Sequence, residues 1–296
     1  MSKRIKGVEL TGVVTLFYSH YCWLNGVLEK NSDPQRERLV RYFTRLFQKK
    51  GCNPHQLLTL NHIPFQGILN VAVRSLRIDR LAEKYAKGRE IVNIGCGFDT
   101  RYFRCGREAL RYTDVDLPEV IQKKKKLLGE TENYRMLSVD SAFEPGFWGK
   151  KLKLETENPL IIAEGVFCYI PYRKVLAFAR ELFQEYPGAV LICDVYLYEP
   201  HLVFDDIKSR ILLGNPESGT EKYDRYRRFY MFQEKIRSRL AKRRTAGFHP
   251  RRWLNLVEVY SGDRDRLSFE FQKEKYTASY WIGVYERKVP KGECKK

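Results

Sequence analysis

Between residues 71 and 200 the chain alternates short apolar runs with segments of helical periodicity, and few folds accept that pattern. The runs are Ile91–Ile94, Tyr112–Val115, Tyr134–Val139, Leu160–Ala163 and Ala189–Cys193. Such alternation predicts a parallel sheet built from βαβ units. Between the last two runs, Tyr172–Tyr186 has an amphipathic helical pattern that stops at Pro187-Gly188. The chain has 296 residues, 43% of them apolar, so a sizeable core is available and global disorder is excluded.

The flanks differ in character. Residues 1–70 read as helical, with breaks at Asp33-Pro34, Gly51–Pro54 and Ile63-Pro64. Residues 201–255 are basic and aromatic, while Leu267–Phe271 and Tyr276–Arg287 read as a closing antiparallel pair. No internal repeat or low-complexity linker separates these zones, so 1–296 is expected to be one domain. Its parts would be an N-terminal helical lid (1–70), a core (71–200), a basic helical insertion (201–255) and closing strands (256–296).

Leu10–Leu28 carries no Asp, Glu, Lys or Arg and is long enough to cross a bilayer. Thr11, Thr15, Ser19, His20 and Asn25 interrupt it, and it is read as a buried helix. With no signal-type apolar run after Met1, a cytoplasmic protein without a membrane span is expected. The seven cysteines form no C-x-x-C pair and read as reduced thiols, and the five histidines are too dispersed to suggest a metal site.

The most informative segment is Glu90–Phe103, a buried strand that runs into Gly95-Cys-Gly97 and then an expected helix. Two glycines allow a tight turn and close approach of a ligand at the carboxyl edge of the first strand. A dinucleotide turn would carry a third glycine at position 100, where Thr100 stands. Asp99 would also repel a pyrophosphate at the helix start. The turn suits a phosphate-free nucleoside with a cationic end, such as S-adenosylmethionine. Asp116 ends the next strand 19 residues beyond Gly97, near the spacing of a ribose acceptor. Asp114 reads either as a second acid or as a solvated strand-end residue. Asp140 and Ser141 end the third strand, where an adenine amino group needs an acceptor. Arg74 shares a helical stripe with Val71, Ile78, Ala82 and Tyr85. A guanidinium there either reaches solvent, pairs with Asp79 or Glu83, or forks onto a ligand carboxylate.

Together these residues resemble the leucine carboxyl methyltransferase family. The block comprises Arg74–Asp79, Ile91–Arg101, Tyr112–Ile121 and Leu160–Tyr169. The resemblance implies an α/β class I (Rossmann-like) methyltransferase fold, with seven mostly parallel strands and an antiparallel closing strand. It implies S-adenosyl-L-methionine as cofactor. Arg74 would hold the cofactor carboxylate, Gly95 and Gly97 would lie beneath the methionine moiety, and Asp116 would take the ribose. Asp140 and Ser141 would face adenine, and Glu164 would lie close to the cofactor. Asn93 and Asp99, from the turn's own motif, complete the candidate cofactor set. Ser75 and Cys96 stand where the family commonly has Thr and Ala.

Methyl transfer from a sulfonium to an ionised carboxylate needs alignment and exclusion of water rather than a base. An O-methyltransferase acting on an anionic acceptor is therefore expected, the acceptor being a small carboxylic acid or a protein C-terminus, or alternatively a phenol. A phenol would benefit from a base, for which His20, His62, His201 and His249 are unplaced candidates. No catalytic residue is assigned; Glu164 and Tyr169 are positioning candidates. Lys and Arg number 54 against 36 Asp and Glu, a net charge of +18 that favours anionic partners. Residues 221–252 interleave cations with aromatic rings, as a single-stranded nucleic-acid groove would. The plainer reading is a helix with a solvated charged face, so nucleic acid is the disfavoured partner. Lys123–Lys126 is likewise read as the exposed face of a helix.

Overall fold

The computed structural model describes residues 12–13, 15–20, 33–49, 65–167, 170, 172–196, 256–261, 268–271, 274–277 and 280–287. Helix α1 spans Pro34–Gln48 and α2 spans Phe65–Ala86; then follow β1 (Glu90–Ile94), β2 (Arg111–Asp116), α3 (Pro118–Leu128) and β3 (Tyr134–Ser138). Strand β4 is Leu160–Ala163, α4 is Tyr172–Glu185 and β5 is Val190–Tyr196. The later strands are β6 (Leu256–Ser261), β7 (Ser268–Phe271), β8 (Glu274–Thr277) and β9 (Tyr280–Arg287).

Seven strands form one sheet in the order β3-β2-β1-β4-β5-β9-β6. β1 pairs in parallel with β2 and β4, β2 with β3, and β4 with β5. β9 is antiparallel to both β5 and β6. Strand order reverses at β1, so a crevice opens at its carboxyl end between β2 and β4.

The short apolar runs become strands because both sheet faces are covered. Ile91 joins one core cluster with Ile78 and Ala82 of α2, whereas Val92 joins the other with Phe178 and Leu182 of α4. Successive side chains point to opposite faces, so a strand packed on both sides is apolar throughout. Helix α1 starts at Asp33, whose Oδ1 accepts the Arg36 N–H at 2.9 Å, with Pro34 in the first turn. It buries Leu39, Val40, Phe43 and Phe47 against Phe98 and Val120.

Three expectations are corrected. The closing antiparallel partner of β9 is β6, while the run around Leu267–Phe271 supplies β7, which forms a separate hairpin with β8. The segment after the glycine turn is a single π-helical turn, Tyr102–Gly106, instead of a full helix. Gly106 lies so close to Tyr112 that an added Cβ would sit 2.6 Å from the ring. Helix α2 begins at Phe65, across the boundary expected near residue 70. No described helix is long and apolar enough to cross a membrane. The basic segment 201–255 lies outside the described residues.

Candidate active site

The glycine turn is stitched to the neighbouring strand by its own backbone. The N–H groups of Gly95 and Cys96 donate to the Val115 carbonyl at 2.7 and 3.2 Å. Gly95 has φ +64° and Gly97 φ +50°, which side-chain-bearing residues rarely adopt. A Cβ on Gly95 would lie 2.4 Å from Val166 Cγ2, and one on Gly97 would lie 3.5 Å from Gly12 Cα. Across the turn, Asp116 accepts the Gly97 N–H on Oδ2 and the Leu117 N–H on Oδ1, each at 2.7 Å. Burial nevertheless raises its pKa, against the pull of these two donors.

Beside the turn lies a network of five carboxylates and three guanidiniums, brought to the carboxyl edge of the sheet from five parts of the chain. Arg74 on α2 donates from Nε to Glu164 Oε1 at 2.9 Å and from Nη1 to Asp194 Oδ2 at 3.2 Å. Ser75 Oγ adds a 2.5 Å bond to the same Glu164 oxygen. Arg101, almost wholly buried, hydrogen-bonds Asp79 Oδ1 at 2.7 Å and the other oxygen of Glu164, and its Nη1 lies 2.7 Å from Asp99 Oδ2 as an ion pair. Arg104 forks onto Asp79 at 2.7 and 3.0 Å and reaches Asp99 Oδ1 at 3.0 Å. It also meets Asp33 Oδ2 at 3.3 Å, and Thr100 Oγ1 donates to that oxygen at 2.5 Å. The cap of α1 is therefore tied directly to the turn.

Burial alone would raise the Glu164 and Asp99 carboxyls. The guanidiniums of Arg74 and Arg101 outweigh it at Glu164, and those of Arg101 and Arg104 at Asp99, so both lie below the usual range. At Asp194, burial prevails over Arg74 and the 2.6 Å bond from the Gly165 N–H, and its pKa is raised. A second buried group lies behind the turn. Asp114 meets Lys124 Nζ at 2.8 Å, Tyr134 OH at 2.5 Å and Asn93 Nδ2 at 3.1 Å. Asn93 also donates to Asp99 at 3.3 Å and joins the two networks. Cys96, Cys105 and Cys193 are buried, and burial raises each thiol.

The structure brings together Arg74, Asn93, Gly95, Gly97, Asp99, Asp116 and Glu164. Asp140 is exposed beyond the end of β3, and Ser141 Oγ accepts the Phe143 N–H at 3.1 Å, so neither joins the network. Arg74 is buried and pairs with Glu164 and Asp194, two acids that the sequence reading did not offer it as partners. Asp114 is buried instead of solvated, and Lys124, expected on an exposed face, is fully enclosed by its contact with Asp114. Tyr169, His62, His201 and His249 lie outside the described residues; His20 is half-buried in the helical stretch at 15–20. Asp33, Arg101, Arg104 and Asp194 have no role in the sequence reading, and Asp79, offered there as a partner of Arg74, holds Arg101 and Arg104. The legible signal was two arginines three residues apart directly after the glycine turn.

A side-chain-free cradle, a strand-end carboxylate at the switch point and a carboxylate-rich wall fit a nucleoside whose other end is cationic. The sheet order, with one antiparallel strand inserted beside β5, is that of a class I methyltransferase, and the cofactor of such proteins is S-adenosylmethionine. The model of the leucine carboxyl methyltransferase family matches residues 33–182, just over half of the sequence. The chain belongs to that family.

It is similar to the tetracenomycin polyketide synthesis O-methyltransferase TcmP of Streptomyces glaucescens, with 24% identity over 43% of this chain and 47% of that one. It is also similar to the tRNA wybutosine-synthesizing protein 4 of Neurospora crassa, with 26% identity over 35% of this chain and 9% of that protein. The chain thus spans about half the length of the first relative and a tenth of the second. Among solved structures it is similar to magnesium protoporphyrin IX methyltransferase of Synechocystis, at 13% identity and TM-score 0.42, over 76% of this chain and 89% of that one.

Proposed function

We propose that the chain is an S-adenosylmethionine-dependent O-methyltransferase that esterifies a carboxylate, on a small acidic metabolite or a protein C-terminus. The observation that carries this reading is the state of Glu164. Both its oxygens are bonded, to Arg74 and Ser75 on one side and Arg101 on the other, and it is held ionised. A carboxylate bound in this way is a poor proton acceptor, which favours an acceptor that arrives already deprotonated.

When bound, S-adenosylmethionine supplies an electrophilic methyl group on a sulfonium. The chain's own residues align and shield. Gly95 and Gly97 would let the backbone approach, Asp116 would offer its remaining lone pairs to ribose hydroxyls, and Arg74 would pair with the methionine carboxylate. Ionised Glu164 and Asp99 favour the positive end of the ligand. The bound cofactor would supply the methyl group to the acceptor oxygen and leave as a neutral thioether, so the charges of carboxylate and sulfonium would cancel. A dry site speeds that neutralisation.

The test is the chemistry of the product. Methyl label transferred from S-adenosylmethionine should be released as methanol in mild alkali. Rates with a carboxylic acceptor should be flat from pH 6 to 8, because a carboxyl is fully ionised above about pH 6. A hydroxyl acceptor is the second reading, favoured by the likeness to a polyketide O-methyltransferase. An alkali-stable methyl and a rate rising with pH toward a phenol's pKa near ~10 would replace the first reading with it.

A further inference from the structure

Helix α1 has spent its apolar side on the core, where Leu39, Val40, Phe43 and Phe47 are buried. Its other side carries Arg38, Tyr42, Arg45 and Lys49, all exposed. At 3.6 residues per turn these four fall within an arc of about 60°. The cations follow one another along the axis at intervals of about 10 and 6 Å. Arg41, at the edge of the stripe, has a weak partner in Glu37 at 3.5 Å. Among the described residues no carboxylate meets Arg38, Arg45 or Lys49. Tyr42 is 38% exposed, which is unusual for so large a ring here.

We propose that this face of α1 docks a single-stranded nucleic acid, with phosphates along Arg38, Arg45 and Lys49 and a base against the Tyr42 ring. A row of cations beside an aromatic platform is what such a strand requires. A membrane surface is a poorer fit, because interfacial helices insert an apolar side and that of α1 is already buried. An acidic protein would expect an apolar patch at the contact centre, and the stripe offers one ring. The chain's net charge of +18 adds long-range attraction for a polyanion. The stripe begins one turn past Asp33, which accepts the Thr100 hydroxyl beside the glycine turn. This docking stands apart from the methyl-transfer reading and does not rest on it.

The test is fluorescence anisotropy of a labelled single-stranded oligouridylate, titrated with the full chain across a range of salt. Arg38→Gln/Arg45→Gln/Lys49→Gln should weaken binding at least about tenfold and lower the salt slope by about 2. Tyr42→Ala should weaken it roughly tenfold. A control removes the same charge at scattered exposed sites, Lys87→Gln/Arg107→Gln/Lys153→Gln, and should change affinity less than about twofold. Calorimetric binding of S-adenosylmethionine and the thermal midpoint should stay unchanged in all three, which separates this proposal from the catalytic one. Equal losses in the stripe and control variants, absence of binding by the wild-type chain, or preference for anionic vesicles or polyglutamate over the oligonucleotide would overturn it.

Discussion

Lys124 and Asp114 face each other 2.8 Å apart with neither side chain in contact with water. Burial would lower the lysine's pKa, but the Asp114 carboxylate overrides it and the amine is held charged. Removing one partner strands a buried charge, so Lys124→Met should cost about 3–5 kcal/mol in urea denaturation. Adding Asp114→Asn should recover most of that loss. For Glu164 and Asp99 the folded pKa values lie below the unfolded ones, near about 4. Their contribution to stability is present above that value and is lost as pH falls through the folded pKa. Asp116 and Asp194, shifted upward, work in the opposite sense and favour folding as they take up protons. The thermal midpoint should therefore fall below about pH 4, and less steeply in Glu164→Gln than in wild type. At this scale a residue's placement was legible where it follows from its neighbours in the chain, as for Asp116 beside the two glycines. It was read poorly where partners are far apart in the chain, as for Arg101 with Asp79 and Glu164. Lys124 was in fact legible: it lies four residues after Val120 and three after Ile121, on the buried stripe, but its place in a run of four lysines concealed it.

The β1–turn–β2 element depends on its shape as much as on its charges. Gly88 and Gly95 both have positive φ, +71° and +64°, yet an added Cβ meets nothing within 4 Å at Gly88 and Val166 at 2.4 Å at Gly95. Gly88→Ala should thus cost only backbone strain, about 1–2 kcal/mol. Gly95→Ala should cost roughly 1–3 kcal/mol more from overpacking, and Val166→Ala should restore only that extra part. Chemical denaturation of the four variants provides the comparison. Strands β1 and β4 were legible because burial on both faces leaves short apolar runs, whereas edge strand β3 alternates buried and open positions. The closing strands were not. β6 and the β7–β8 hairpin are alike in composition, and only pairing with β9 decides which of them enters the main sheet.

Across the molecule, α1 is tied to the glycine turn by side-chain contacts. Asp33 caps α1 with one oxygen and takes the Thr100 hydroxyl with the other, while Phe43 packs edge-on against Phe98 at 4.6 Å. Asp33→Ala removes a cap worth about 1 kcal/mol and frees the turn at the same time. Hydrogen exchange should accelerate in α1 and around Gly97 together, and calorimetry should show weaker cofactor binding. Faster exchange confined to α1 would mean that the two move independently. The position of β9 has a further consequence during synthesis. Because this strand enters between β5 and β6, both neighbours expose unpaired edges until residues 280–287 have left the ribosome. Nascent chains stalled before that point should be the aggregation-prone species, and conditions that slow translation between β6 and β9 should lower the yield of folded protein.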